Sequence, residues 1–290
     1  MAAALPSFSQ ENPPAPQIIN VEARQTTSLD GVWKSIVDPY ENGYYDYRLK
    51  PLADELSYFA DRDFNEDRTV LYEYNFNTDK TLQVPGDWNT QRQELYYYEG
   101  TVWYRRNFDY DLQPGKRLFV YFGAANYETV AGLNGHKIGK HTGGYTPFNF
   151  EITDMVKTEN NSLVVKVDNR RKPEGVPTVN CDWWNYGGIT RSVLLVETPE
   201  TFVRDYFIQL KKGDMRTIAG WVQLDGPELS QDVTVSIPEL KISETVTTDG
   251  NGYASFEFKA KPEYWCPENP KLYDVTVAAE TDSVNDRVGF

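Results

Sequence analysis

This sequence predicts two successive all-β domains, and three observations carry that reading. Apolar residues recur at alternate positions, turn-forming pairs break the chain at short intervals, and helical periodicity is scarce. The 290 residues favour two domains over one. Aromatic residues make up 14% of the chain, with 20 Tyr and 7 Trp, a composition that suits pleated, half-buried surfaces and sugar contacts alike.

The chain starts MAAALPSFSQENPPAPQ, small residues followed by a polar, Pro-rich stretch. It lacks the basic start and long apolar core of a complete signal peptide. Residues 1–24 therefore read either as a disordered leader or as the tail of a signal peptide, which would make the protein periplasmic or secreted. LKPLADELSYFA sets Leu52, Leu56 and Phe59 at i, i+4 and i+7 and predicts a short surface helix. GTVWYRRNFDY predicts a strand with Val102, Tyr104, Arg106 and Phe108 in one phase. RLFVYFGAA, ETVAGLNGHKIGKH, NSLVVKVDNR and RSVLLVET follow as further strands, separated by Pro114-Gly115, Asn134-Gly135 and Asn160-Asn161. Asn134-Gly135 between apolar flanks is a hairpin signal. Short strands at this spacing build a sandwich or a barrel.

Near residue 199 the pattern changes, and Pro199 ends the first set of strands. TFVRDYFIQLKKGD, IAGWVQLDG, QDVTVSIPEL, SETVTTDGNGYASFEFKA and PKLYDVTVAAE follow. They hold about seven strands in roughly 90 residues, the size of an immunoglobulin-like sandwich. The domains are accordingly expected at 25–199 and 200–290.

Composition and motifs exclude several functions. A net charge of −14 repels a phosphate backbone, so no nucleic-acid partner is expected. No apolar run reaches the roughly 18 residues of a membrane span. The two cysteines, Cys181 and Cys266, fall in different expected domains and are expected as free thiols. His136 and His141 have no ligand cluster around them and read as packing or surface residues. No dinucleotide, phosphate-loop or zinc-protease motif occurs, and no cofactor is expected. In DRDFNEDR, Asp61, Asp63, Asn65 and Asp67 alternate like a calcium loop. Glu66 and Tyr72, however, occupy the places that need Gly and Glu, so a solvated loop is expected and no metal. GGYTPFNFEITDMV reads as a turn entering a strand.

CDWWNYGGITR, Cys181 to Arg191, is the stretch that could carry chemistry. It lies between the Pro-broken loop RRKPEGVPTV and the strand RSVLLVE. Gly187-Gly188 permits unusual backbone angles, and Trp183, Trp184 and Tyr186 can anchor the loop by burial. That leaves Asp182 at a rigid loop end, either as a ligand contact or as a structural cap.

At these residues the chain resembles the N-terminal part of family 2 glycoside hydrolases: β-galactosidases, β-glucuronidases and β-mannosidases. The resemblance runs in order through SLDGVWKSIVDP (29–39), VPGDWN (84–89) and YYYEGTVWYRRNF (96–108). It continues through LNGHKIGKHTGGYTPFNFEITDMV (133–156), DWWNYGGITRSVLLVETP (182–199) and YWCPENPKLYDV (264–275). The VWYRR, GGYTPF and NYGGI forms are most similar to the β-glucuronidase branch. The resemblance implies a jelly-roll, galactose-binding-like sandwich, the sugar-binding domain, followed by an immunoglobulin-like sandwich. It also implies a partner (β/α)₈ barrel that holds both catalytic glutamates. This sequence stops at RVGF, where the barrel would follow, so no catalytic residue is assigned. Asn65-Glu66 matches the family's acid/base dipeptide only by coincidence, inside a polar loop. The resemblance implies that Asp182 reaches into the barrel's site to bind a sugar hydroxyl. It places Glu99 near a second substrate loop, where the galactosidase branch carries Asn instead.

Three functions follow from these readings. The first is the non-catalytic part of an O-glycosidase in carbohydrate metabolism, with a carbohydrate substrate and, as is common in the family, a homo-oligomeric state. The second is a free-standing, lectin-like carbohydrate-binding module, and the third a structural pair of sandwiches.

Overall fold

The computed structural model describes residues 16–61, 75–77 and 80–290. They form two compact units, one of Ser28–Leu112 and Phe119–Leu195, the other of Gln17–Thr27, Gln113–Leu118 and Val196–Phe290. The main sheet of the first unit and both sheets of the second pair their strands antiparallel, which suits the period-2 pattern.

Among the described residues ten strands precede residue 200: β1 (Gln25–Ser28), β2 (Gly31–Val37), β3 (Thr81–Val84), β4 (Thr101–Phe108), β5 (Lys116–Phe122), β6 (Glu128–Leu133), β7 (His136–Thr142), β8 (Phe148–Glu151), β9 (Asn161–Asp168) and β10 (Val193–Pro199). The first unit's main sheet runs β3-β2-β4-β9-β6-β7. In a second layer β5 pairs with β8, from Phe119 opposite Glu151 to Phe122 opposite Phe148. β6 and β7 form the expected hairpin, with Asn134 and Gly135 both at positive φ (52° and 91°) in its turn. GGYTPFNFEITDMV is a turn leading into β8, as expected.

Two expectations fail for one reason. β4 does not alternate: Val102, Trp103 and Tyr104 are all buried. LKPLADELSYFA is not a surface helix but two short 3₁₀ turns, Asp54–Leu56 and Tyr58–Ala60. The segment before β3 folds over the outer face of the main sheet and buries it. Phe59 and Tyr44 pack with Ile36, Trp103, Val130 and Val164, and the Phe59 and Trp103 rings meet edge to face at 5.0 Å. A sheet covered on both faces loses its two-residue burial pattern. The i, i+4, i+7 spacing served a lid whose Phe59 is fully buried while Leu56 is half exposed.

Charges enter this core as a network. The Lys166 ammonium, 1% exposed, pairs with Glu41 at 2.6 Å. Arg170 bridges Glu41 and Asp168, the latter at 2.8 Å. Burial alone would raise the pKa of Asp168, but the hydrogen bonds from Arg170 outweigh it and hold the carboxyl below its usual range. The network fixes the chain where it leaves β9, immediately before Arg171.

After residue 200 the second unit carries seven strands: β11 (Phe202–Lys211), β12 (Asp214–Asp225), β13 (Asp232–Ile237), β14 (Ile242–Thr247), β15 (Tyr253–Lys259), β16 (Tyr273–Ala278) and β17 (Ser283–Val288). They make one sheet in the order β11-β12-β15 and another in the order β14-β13-β16-β17. Tyr206, Ile218 and Val222 of the first pack with Val235, Val275 and Val277 of the second. β15 alternates strictly, Ala254, Phe256 and Phe258 inward and Tyr253, Ser255 and Glu257 outward, as its sequence predicts. The protein is therefore all-β, a jelly-roll-type sandwich followed by an immunoglobulin-like one.

Candidate functional site

The stretch from Cys181 to Arg191 is a loop held by buried polar side chains, and its aromatic rings do not anchor it. Trp183 is 63%, Tyr186 46% and Trp184 40% exposed. The anchor is Asn185 with Gly187, Gly188 and Ile189, all buried. Four asparagines from separate segments, Asn89, Asn126, Asn169 and Asn185, interlock here, each at most 5% exposed. Asn126 Nδ2 donates to Asn185 Oδ1 at 3.0 Å and to the Tyr186 carbonyl. The Asn169 side chain donates to the Asn185 carbonyl at 2.8 Å, and Asn185 returns a bond to the Asn169 carbonyl. Asn89 Oδ1 accepts from the Gly187 N–H at 2.9 Å, while its amide donates to the carbonyls of Leu95 and Tyr98. Buried amides bonded to one another and to the loop backbone fix its conformation, although Asn126 Oδ1 is buried without a hydrogen-bond partner among the described residues.

The two glycines act differently. A Cβ on Gly187 would lie 2.0 Å from Trp88 Cζ2, so its position is dictated by packing. Gly188 has φ +140°, and a Cβ there would also lie 2.6 Å from the Gly86 carbonyl oxygen.

Arg171 completes the clamp. Its guanidinium donates to the Cys181 carbonyl and, at 2.7 Å, to the Trp183 carbonyl, so both neighbours of Asp182 are held. Its Nε donates to Glu99 Oε1 at 3.0 Å. Asp182 itself is exposed, and its carboxylate has no hydrogen-bond or ion-pair partner among the described residues. The fold thus brings the two sequence candidates to one place through Arg171. Asp182 offers a free carboxylate, and Glu99 is occupied by the arginine. Sequence reading missed Arg171 and the asparagines; Arg170-Arg171 resembles any surface charge pair, and a lone Asn reads as a turn former.

Beside the clamp lies a cleft of about 150 Å³ lined by Tyr96, Tyr97, Glu99, Arg171 and Trp184, with Asn89 and Asn185 at its base. Trp184 packs on Tyr96 and Tyr97 with centroids 4.9 and 5.5 Å apart. Complete ligand pockets usually start near 300 Å³, so the cleft is too small to enclose a sugar by itself.

The remaining candidates are placed as follows. His141 stacks on Phe148 at 4.1 Å, and burial pushes its pKa down; His136 is exposed. Cys181 and Cys266 are free thiols. Asp61 accepts from Arg105 at 2.6 Å and from Ser162 at 2.7 Å, whereas Asp63, Asn65, Glu66 and Asp67 lie outside the described residues. Among the described residues no group of three or more His, Cys, Asp or Glu is arranged to hold a metal ion.

Comparison with known proteins adds the following. Residues 27–199 match the family model described as the sugar-binding domain of glycosyl hydrolases family 2, and residues 201–290 match a second model of glycosyl hydrolases family 2. A putative β-glucuronidase of Formosa agariphila is 27% identical over 87% of this chain and 32% of its own length. Rat β-glucuronidase is 27% identical over 91% of this chain and 43% of its own length. Among solved structures, Bifidobacterium dentium β-glucuronidase superposes with a TM-score of 0.72 at 23% identity, covering 95% of this chain and 49% of that one. The chain spans a third to a half of the length of these relatives.

Proposed function

Because this chain belongs to the family 2 glycosyl hydrolases, we propose that it is the non-catalytic N-terminal part of an O-glycosidase of the β-glucuronidase or β-galactosidase kind. In this reading residues 25–199 are the sugar-binding domain and 200–290 the immunoglobulin-like one. Together they shape the active site of a catalytic (β/α)₈ barrel acting on a carbohydrate substrate. One observation carries the proposal: Arg171 holds the backbone on both sides of Asp182 and leaves the Asp182 carboxylate free. A solvated carboxylate on a braced loop is a preorganised acceptor for a sugar hydroxyl. It is one acceptor and does not amount to chemistry, since glycoside hydrolysis needs an acid/base and a second carboxyl group about 5–9 Å away. The 150 Å³ cleft beside the clamp agrees with this reading, in which the barrel would complete it.

The test is kinetic. In an enzyme that joins this chain to its barrel, Asp182→Ala lowers kcat/KM about 10²-fold, the worth of one charge-assisted hydrogen bond in a dry site. Unchanged kinetics would remove Asp182 from the substrate's contacts. The 290-residue chain alone is expected not to turn over chromogenic glucuronides or galactosides, which an assay of the purified chain checks.

A further inference from the structure

The second unit carries an aromatic row that nothing in the Asp182 site uses. Phe207 of β11 and Trp221 of β12 face each other across the strand pair. Tyr253 of β15 stands on the same outer face, diagonal to Trp221, since Tyr253 pairs with Gln223 and Ser255 with Trp221. Phe207 to Trp221 measures 6.4 Å between centroids with planes 18° apart; Trp221 to Tyr253 measures 6.2 Å and 27°. Nearly parallel rings this far apart cannot lie squarely on one another, because ring contact falls near 3.5–4.0 Å. Their faces are laterally displaced, and much of each outer ring is open: Phe207 is 47% and Tyr253 42% exposed. The inner face of this sheet already packs in the core through Tyr206, Ile218, Val222 and Phe256, so the row adds nothing to the sandwich interior.

We propose that this row is a carbohydrate-binding platform for a neutral glycan chain, separate from the Asp182 loop and independent of the proposed catalytic partnership. The C–H faces of pyranose rings carry slight positive charge and stack on the electron-rich faces of aromatic rings. Three rings spaced more than 6 Å apart meet successive sugar units, which selects an oligomer over a monosaccharide. Polar side chains flank the rings on the same face: Gln223 beside Tyr253, Gln209 beside Phe207, and Ser255 opposite Trp221. Gln209 and Ser255 offer groups of both kinds to hydroxyls, while Gln223, whose Nε2 already donates to the Leu224 and Asn251 carbonyls, offers its Oε1 as an acceptor. Charge decides the class. The lysines of the strands that carry Phe207 and Tyr253 are already paired, Lys211 with Glu257 at 2.6 Å and Lys259 with Asp214 at 2.9 Å. With these lysines paired on a chain of net charge −14, the face favours a neutral chain over a uronate or sulfate.

Affinity electrophoresis of the 290-residue chain in native gels containing cellulose ether, xyloglucan, galactomannan or polygalacturonate tests this. The expected result is retardation by at least one neutral polysaccharide, weakened about tenfold or more by Trp221→Ala and by Tyr253→Ala, the scale of losing one aromatic face. Tyr253 is exposed, so its variant folds even if the Trp221 variant does not, and thermal melts verify both. Tyr40→Ala, an exposed aromatic of the first unit outside the Asp182 cleft, leaves retardation unchanged. Four outcomes overturn the proposal: no retardation by any neutral polysaccharide, retardation by polygalacturonate alone, loss in Trp184→Ala but not in Tyr253→Ala, or self-association abolished by Tyr253→Ala without glycan binding.

Discussion

Arg171 Nε donates to Glu99 Oε1 at 3.0 Å, and the same guanidinium holds the carbonyls of Cys181 and Trp183. Glu99 therefore acts on the loop through Arg171, as a positioning residue. Asp182 owes its orientation to neighbours that never touch its side chain.

Removing the clamp loosens the loop more than the fold. Arg171→Ala is expected to cost about 1–2 kcal/mol in urea melts, the worth of hydrogen bonds from a partly exposed charged group. Limited proteolysis between residues 172 and 184 accelerates in the same variant. Arg171→Lys restores little, because an ammonium lacks the fork that reaches two carbonyls. Equal proteolysis in wild type and Arg171→Ala would show that the asparagines alone hold the loop.

Asp182→Ala in the 290-residue chain changes stability by less than roughly 1 kcal/mol, as for an exposed residue without partners. A larger loss in a denaturant melt would make Asp182 a structural cap. Glu99→Gln removes the ion pair and is expected to lower kcat/KM of the barrel-bearing enzyme less than Asp182→Ala does.

The glycines separate clash from strain. Gly188→Ala meets both, at φ +140° and 2.6 Å from the Gly86 carbonyl oxygen. Gly143→Ala has the same φ of +140°, but its nearest contacts are at 3.4 Å. Gly188→Ala should therefore destabilise by about 1–3 kcal/mol more, the usual cost of overpacking. Equal losses would mean that strain alone sets the requirement at Gly188.

His141 makes stability depend on pH. Burial against Phe148 lowers its pKa below 6.5 in the folded state. As pH falls through 6.5 the unfolded chain takes a proton that the folded one resists. The contribution is complete above that pH and declines below it, until the folded value is reached. His141→Phe keeps a ring against Phe148 and should flatten the melting temperature as pH falls below about 6.5. An unchanged profile would remove His141 as the source.

Both cysteines are expected to titrate fully with a thiol reagent in denatured, unreduced protein, since both are free thiols. Fewer than two thiols per chain would contradict that.

Much of the fold is local and was legible. Strands show as alternation, and β15 keeps it strictly because only one of its faces is buried. The β6–β7 hairpin shows in Asn134-Gly135, since those residues tolerate positive φ at little cost. The same logic misled at β4 and at Phe59, where a lid buried the second face of the sheet and erased the pattern.

The candidate site was legible only as a loop with one conspicuous acid. Asp182, the Gly187-Gly188 pair and the neighbouring aromatics stand together in the sequence, whereas what holds them comes from elsewhere. Asn89, Asn126, Asn169 and Asn185 lie in separate segments, and Glu99 is 72 residues from Arg171. The row of Phe207, Trp221 and Tyr253 likewise exists only once β11, β12 and β15 are in register. Alternation and turns depend on φ and ψ preferences within a few residues, so the sequence by itself determined the all-β class, the turns and the place of Asp182. A hydrogen bond or ring contact depends on which strand lies beside which and in what register. That is decided by burial across the whole sheet, and so only the tertiary structure settled Arg171 on Glu99, the asparagine interlock and the aromatic row.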